Sequence, residues 1–328
     1  MVAAAALLLS AASIGFVLRA FRSETVPAEE PTYEVTELSL TRGLGDVLVA
    51  DGSVWVVKPG AVGRIDPATG EVTHVSVGGV DPDHAALAAG GDRIWVLTTE
   101  GVAGIDAATN DVAERFVIQS GVEALAYADG RLLLGGSAQG NGLILAVDPR
   151  RGDILGTTLT DGDGISSILP TEQGVWVGHS SAGESGLVLL SRDLILEREF
   201  PPVETVRSLA IAGGRVWGVG VDTLYAIDPS TGAVEVTPFP RAAAVASAAD
   251  GLWLLLATGS TSPDLYLPDP EQPAALLRID PNTGDRLGEP IELDRFTPAS
   301  FTATPEGAWV SFYDGGVLVR VAPEGAPP

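Results

Sequence analysis

From Tyr33 onward, apolar residues alternate with polar or small ones at a period of two, in short runs cut by glycine and proline. Leu224-Tyr225-Ala226-Ile227 and Ala233-Val234-Glu235-Val236 flank Asp228-Pro229-Ser230-Thr231-Gly232, a pattern that predicts a β-hairpin. Proline pre-sets φ at the second turn position, and glycine supplies the positive φ that closes the turn. Ala212-Gly213-Gly214-Arg215 marks a second hairpin, between the small-residue run Ser208-Leu209-Ala210-Ile211 and Val216-Trp217-Gly218. One unit thus holds four strands. The first is small-residue, the second carries a tryptophan, the third enters the Asp turn, and the fourth alternates with polar residues, as in Glu71-Val72-Thr73-His74-Val75-Ser76.

This unit of about 40 residues recurs seven times. Its tryptophan strands are Val54-Trp55-Val56, Ile94-Trp95-Val96, Leu132-Leu133-Leu134, Val175-Trp176-Val177, Val216-Trp217-Gly218, Leu252-Trp253-Leu254 and Ala308-Trp309-Val310. The third unit has leucine where the other six have tryptophan. The fourth is the most degraded at its turn, Leu190-Ser191-Arg192-Asp193. The six tryptophans account for all in the chain, and rings at one repeat position are expected between neighbouring units, where they bury much apolar area. Trp253 and Trp309 are 56 residues apart, against 40 for Trp55 and Trp95, so the sixth unit carries an insertion around Thr258 to Pro273.

Four antiparallel strands repeated seven times predict an all-β fold, a seven-bladed β-propeller over residues 33–323. Small residues on the first strand suit an innermost position crowded around the axis. The seventh unit ends after its third strand, and Tyr33 to Leu40 has the alternation of a fourth. Residues 33–40 are expected to complete the last blade and remove the open edge. Residues 324–328 form a tail.

The units resemble those of YVTN-type, virginiamycin B lyase-like and pyrroloquinoline-quinone-type propellers. Gly63-Arg64-Ile65-Asp66-Pro67-Ala68-Thr69-Gly70 is similar to the lyase-like repeat, and Leu224 to Gly232 to the quinoprotein repeat. The resemblance covers about residues 33–323 and rests on structural motifs, so it implies a fold rather than an activity. It implies that blade connections and second-to-third-strand loops gather on one face, around the axial channel, with the Asp turns on the other. The lyase-like activity requires histidine and glutamate near the end of the ring with magnesium, but the histidines here are His74, His84 and His179. A lactonase-like calcium pocket uses asparagine at the channel, and the asparagines are Asn110, Asn141 and Asn282. The quinoprotein motif's trailing tryptophan is missing after Gly232.

The chain has 45% hydrophobic and 19% charged residues, values of a folded body. Its net charge of -24 argues against nucleic acid and against docking of the body on anionic lipid. With no cysteine, there is no disulfide or thiolate site. Val2 to Leu18 carries no charge, and Arg19 and Arg22 follow. Seventeen helical residues would span roughly 26 Å, close to the ~30 Å hydrocarbon core. Residues 1–22 are therefore expected to form an apolar helix acting as a single-pass membrane anchor, with a signal peptide and a buried helix as the rival readings. Residues 23–32, rich in Glu and Pro, read as an extended acidic stalk. Counting Arg beside the span places the body in the cytoplasm, but Arg-flanked exits of this kind also occur on outward-facing anchors; we expect an extracytoplasmic body.

Function is expected where the repeats disagree. Ten residues before each tryptophan position lie Gly45, Ala85, Glu123, Ser166, Arg207, Ala243 and Ala299. Glu123 and Arg207 are thereby expected at the channel mouth, with Asp46 and His84 beside them and Asp163 nearby in Asp161-Gly162-Asp163-Gly164. The second-to-third-strand loops add Glu100, His179, Glu184, Asp222, Tyr313 and Asp314. Asp66, Asp148, Asp228 and Asp280 are expected to cap their own turns. No Gly-x-Ser-x-Gly elbow is present. Asp161 to Gly164 resembles a calcium loop but lacks its bidentate Glu, so no metal and no cofactor is expected. The expected function is non-catalytic binding or sensing of an unknown protein or small polar ligand. Two alternatives stand beside it. One is a hydrolase or lyase using Glu123, His84, His179 or Asp163; the other is a scaffold contacting its partner through the blade-six insertion around Tyr266.

Overall fold

The computed structural model describes residues 32–326, apart from 119–120, 163, 181–185, 201–202, 204, 249–250 and 258–271. The expected anchor over 1–22, nearly all of the stalk and most of the blade-six insertion lie outside the described residues. Among those described, no helix is long and apolar enough to cross a membrane.

The described residues form seven four-stranded antiparallel sheets. The first strand in the chain, β1 (Tyr33–Ser39), belongs to the last of them. Blade one is β2 (Val47–Ala50), β3 (Ser53–Lys58), β4 (Ala61–Ile65) and β5 (Val72–Ser76). Blade two is β6 (Leu87–Ala89), β7 (Arg93–Thr98), β8 (Gly101–Asp106) and β9 (Val112–Val117). Blade three follows as β10 (Gly121–Ala128), β11 (Arg131–Ala138), β12 (Asn141–Val147) and β13 (Ile154–Thr160). Blade four holds β14 (Gly164–Thr171), β15 (Gly174–Ser180), β16 (Leu187–Leu190) and β17 (Leu196–Glu199). Blade five holds β18 (Ser208–Ala212), β19 (Arg215–Val219), β20 (Thr223–Ile227) and β21 (Val234–Pro238). In blade six come β22 (Ala242–Ala248), β23 (Gly251–Leu256), β24 (Ala275–Ile279) and β25 (Arg286–Glu292). Blade seven has β26 (Pro298–Thr304), β27 (Gly307–Phe312) and β28 (Val317–Pro323), with β1 outermost in the order β1-β28-β27-β26.

The first strands of successive blades touch in turn, from β2 through β6, β10, β14, β18 and β22 to β26, and β26 meets β2 again. The ring is closed. Its closing blade joins the two ends of the folded chain, with Tyr33 paired to Pro323 and Ser39 to Val317. Tyr33 also reaches blade six, where its ring meets Trp253 edge-on at 5.5 Å and its hydroxyl accepts from Arg278 Nη1 at 3.0 Å.

Each tryptophan is buried against the next blade. Trp55 lies among Leu87, Ile94 and Val96 of blade two, Trp217 among Leu252 and Leu254 of blade six, and Trp309 among Leu44, Val47 and Val54 of blade one. Burying so large a ring at every junction supplies much of the apolar drive for closure. Three of the indole N–H groups donate to carbonyls of their own hairpins: Trp55 to Ala50, Trp95 to Gly90 and Trp217 to Ala212. Leu133 takes the tryptophan position at the junction of blades three and four. There Ile165 and Ile168 of blade four lie against Gly135, filling the space that a larger ring would need.

An arginine stands directly across from three of these tryptophans, Arg64 from Trp55, Arg278 from Trp253 and Arg320 from Trp309. The guanidinium of Arg64 sits 5.1 Å from the ring centroid of Trp55 and then crosses to blade two, donating to Ala107 O (2.7 Å) and Asn110 Oδ1 (3.0 Å). The Asp turns cap themselves as expected. Asp66 Oδ1 accepts from the N–H groups of Ala68 and Thr69, Asp228 Oδ1 from those of Ser230 and Thr231, and Gly70 and Gly232 close the turns at φ of 71° and 76°. In the degraded fourth turn Ser191 substitutes for aspartate, its Oγ accepting from Asp193 N and Ile195 N.

Candidate functional site at the channel mouth

Blade connections and second-to-third-strand loops share one face and bind each other there. Gly60 N donates to Val80 O, Thr99 N to Gly79 O, Ile118 N to Glu100 O, Phe239 N to Asp222 O and Gly43 N to Tyr313 O. The Asp turns and tryptophan hairpins occupy the other face.

The position ten residues before each tryptophan falls on a repeated irregularity of the innermost strand. The β10–β11 register skips Glu123, the β14–β15 register skips Ser166, and blades six and seven skip Ala243 and Ala299. In blades one, two and five the same place is marked by Val57 N to Asp46 O, Leu97 N to Ala86 O and Arg207 N to Val219 O. A bulge bends the strand and re-aims side chains at the rim, so these positions are where the ring can present varied groups without losing its ladder. Most are filled for packing. Gly45 is forced, because a Cβ there would come within 2.5 Å of Pro82 O. Ser166 Oγ donates to Gly178 O at 3.1 Å and bonds Val206 O in the connection to blade five.

Glu123 is exposed and Arg207 half-buried, and neither side chain is joined to the other or to His84 by a hydrogen bond or ion pair. Glu123 lies on β10 and Arg207 just before β18, and among the described residues no side-chain bond gives either a local structural task.

Asp46 has such a task. Its Oδ1 accepts from Val47 N (2.9 Å) and Ser300 Oγ (2.5 Å), and its Oδ2 from Leu87 N (2.8 Å). One carboxylate thus ties blades seven, one and two. Burial pushes its pKa up, while the three hydrogen bonds oppose the rise. Ser208, at the equivalent place in blade five, accepts from Val245 N of blade six at 3.1 Å.

The remaining candidates are dispersed. His84 is exposed, and its Nδ1 lies 3.2 Å from Asp81 Oδ2 in the same short turn. His179 departs from its expected loop position: it is inside β15, paired with Ile165, and its side chain is buried. The strand continues two residues further than the alternation suggested, because Gly164 and Ile165 extend its partner. Glu100 is exposed at the β7–β8 turn. Asp222, at φ 50°, accepts from Arg241 N at 2.9 Å and holds the connection to blade six. Tyr313 is exposed beside Asp314. Asp163 and Glu184 lie outside the described residues.

Asp314 lines a cleft of about 250 Å³ with Asp294, Arg295, Phe296, Thr297, Phe312 and Gly315. Sequence reasoning missed Arg295, whose only signal was a basic residue in the last blade connection. Its Nε and Nη2 donate to the two carboxylate oxygens of Glu37 on β1, at 3.0 and 2.6 Å. This hydrogen-bonded pairing holds the Glu37 carboxyl below its ordinary pKa. A second missed pair is Lys58, buried at the end of β3, with Nζ 2.8 Å from His74 Nδ1; burial lowers the ammonium's pKa. Among the described residues no three His, Asp or Glu side chains are grouped to hold a metal ion.

Ring, blade topology and axial mouth define a β-propeller. No protein-family model matches the sequence, and no curated protein does. Solved structures do match in fold. The WD40 domain of Pan2 from Neurospora crassa aligns with a TM-score of 0.67 at 10% identity, over 87% of this chain and 90% of that one. A chain of the mitotic checkpoint complex gives 0.70 at 13% identity, over 96% and 99%. BamB from Moraxella catarrhalis gives 0.60 at 12%, over 90% and 98%. At such identities the likeness is one of fold.

Proposed function

We propose that this chain is a membrane-tethered propeller of the YVTN or quinoprotein-like kind, which binds a protein partner non-catalytically through its channel mouth. The observation that carries this reading is the pair Glu123 and Arg207. Glu123 is the bulge residue of β10 and Arg207 immediately precedes β18 at the same repeat position, not bonded to each other, where other blades carry glycine, alanine or a bonded serine. Recognition by opposite charges at a rim supplies specificity and encounter rate more than raw affinity. One structural neighbour is a chain of an assembly, the mitotic checkpoint complex, which accords with a partner-binding role. The tether is residues 1–22, the stalk residues 23–32, and the body is extracytoplasmic. Photo-crosslinking residues placed at 123 and 207 of the full chain in its membrane test the reading, with position 69 on the opposite face as control. A shared protein adduct at 123 and 207 is expected. No adduct at either, or an equal yield at 69, would refute it.

A further inference from the structure

Two carboxylates in the cleft of blade seven have no bonded partner. The cleft lies between the connection from blade six, with Asp294, Arg295, Phe296 and Thr297, and the end of β27 and its turn, with Phe312, Asp314 and Gly315. Its one cation is already engaged, since Arg295 Nε and Nη2 both donate to Glu37, at 3.0 and 2.6 Å. Asp294 and Asp314 are exposed, and neither carboxylate forms an ion pair or accepts a hydrogen bond among the described residues. Asp294 acts on Arg295 only through its field.

Backbone geometry does not account for either acid. Asp222 shares the left-handed conformation of Asp294, at φ 50° against 49°, but its carboxylate accepts from Arg241 N at 2.9 Å. The turn aspartates likewise cap their own loops. At Asp314 the bond to the loop is made by the backbone, whose N–H donates to Thr297 Oγ1 at 3.3 Å. Counting Glu37, the cleft holds three carboxylates against one guanidinium and is left with two negative charges.

The walls select the kind of cation. A metal ion requires a shell of oxygens, but much of this lining is the rings of Phe296, 37% exposed, and Phe312. A cation on an apolar stem meets both demands, with its stem on the rings and its head toward the carboxylates. Arginine suits such a wall better than lysine, because the guanidinium is planar, weakly hydrated and stacks on aromatic faces. The chain packs its own arginines in this way, with Arg286 4.7 Å from the ring centroid of Phe239 and Arg198 5.9 Å from that of Phe200. At about 250 Å³ the cleft is smaller than the ~300–1,000 Å³ of typical small-molecule sites, which matches one side chain of a larger partner. Glu100, Asp161 and Asp222 are exposed on other loops of the same face and draw a basic surface toward it.

We propose that this cleft receives an arginine side chain from a basic surface of the protein partner. The inference rests on the partner-binding reading and names the partner's chemistry at blade seven. The probe is the tripeptide acetyl-Ala-Arg-Ala-amide, titrated against the full chain in non-ionic detergent and followed by saturation-transfer NMR. Saturable binding is expected, and the isosteric but uncharged citrulline peptide is expected to bind at least about tenfold more weakly. Asp294→Asn/Asp314→Asn is expected to weaken the arginine peptide by about tenfold or more, and asparagine tolerates the backbone conformation at position 294. Glu71→Gln/Asp111→Asn removes the same charge from exposed positions on the opposite face and is expected to bind like the wild type. Near-UV circular dichroism reports that each variant keeps its packing. Absence of saturable binding overturns the proposal, as does a citrulline peptide that binds equally well. Equal weakening by the two double variants also overturns it, because the attraction is then that of the whole acidic chain. Crosslinking at 123 and 207 reports partner contact without the peptide, so a failure here and a failure of the partner reading are told apart.

Discussion

Ser300 Oγ donates to Asp46 Oδ1 across 2.5 Å, joining two residues 254 apart in the chain at the seam where the last blade meets the first. The other oxygen of the same carboxylate takes the Leu87 N–H of blade two. Asp46→Ala leaves that N–H and the Val47 N–H unsatisfied and is expected to cost about 1–3 kcal/mol in urea unfolding. Asp46→Asn keeps an accepting oxygen and carries no charge to desolvate, so it is expected to cost less. If the alanine variant melts like the wild type, the seam does not depend on this group.

The direction of the Asp46 shift also sets a pH effect. Its folded pKa is raised, so its contribution is fully present below the unfolded carboxylate value and is lost as pH rises through the folded one. Wild type is expected to gain stability relative to Asp46→Asn as pH falls through that window.

The turn aspartates behave in the opposite sense. The Ser230 hydroxyl at 2.6 Å and the N–H groups of Thr231 and Ser230 hold the Asp228 carboxyl at a pKa of about 2, and Asp106 and Asp280 are lowered by their own turns. A depressed pKa contributes stability that is present above the unfolded value of ~3.9 and disappears as pH falls towards the folded one. The stability gap between wild type and Asp228→Ala should therefore shrink between about pH 5 and pH 2. A gap that stays constant across this range would show that the turn does not depend on the ionised form.

Leu133 occupies a tryptophan position, yet restoring the repeat is expected to harm the protein. Ile165 and Ile168 have taken the volume, so Leu133→Trp overpacks the junction and is expected to cost about 1–3 kcal/mol. Trp217→Ala empties an equivalent junction and is expected to cost about 3–5 kcal/mol. Denaturant midpoints measure both. A stabilised Leu133→Trp would show that blades three and four have room to spare.

Deleting residues 33–39 removes the outer strand of blade seven and the Tyr33 hydroxyl that Arg278 donates to. It exposes the β28 edge, and a sharp fall in melting temperature with concentration-dependent aggregation is expected. An unchanged melt would mean that closure rests on the tryptophan junctions alone.

Much of this architecture is written in short stretches. Strand alternation, the Asp-Pro-x-Thr-Gly turns and the tryptophan spacing are local, each read within a dozen residues, and seven copies of one unit leave a radial ring as the way to bury every Trp face. The count back from each tryptophan, made to find the channel mouth, falls on strand bulges in blades three, four, six and seven, because the repeat keeps its own geometry. The site was less legible. Asp46 looked like a free mouth residue until Ser300 and Leu87 were brought to it, and His179 looked like a loop residue until Ile165 paired with its strand.

The sequence by itself therefore determined the blade, the number of blades and the self-capped turns, since these depend on backbone preference and periodicity within one unit. Tertiary structure decided which charges are spent. Asp46 is held by two other blades and Arg295 by Glu37 at the far end of the chain, while Glu123 and Arg207 have no such partners among the described residues. Whether a side chain is spent or available depends on what a neighbouring blade presents to it, and that neighbour lies tens to hundreds of residues away in sequence.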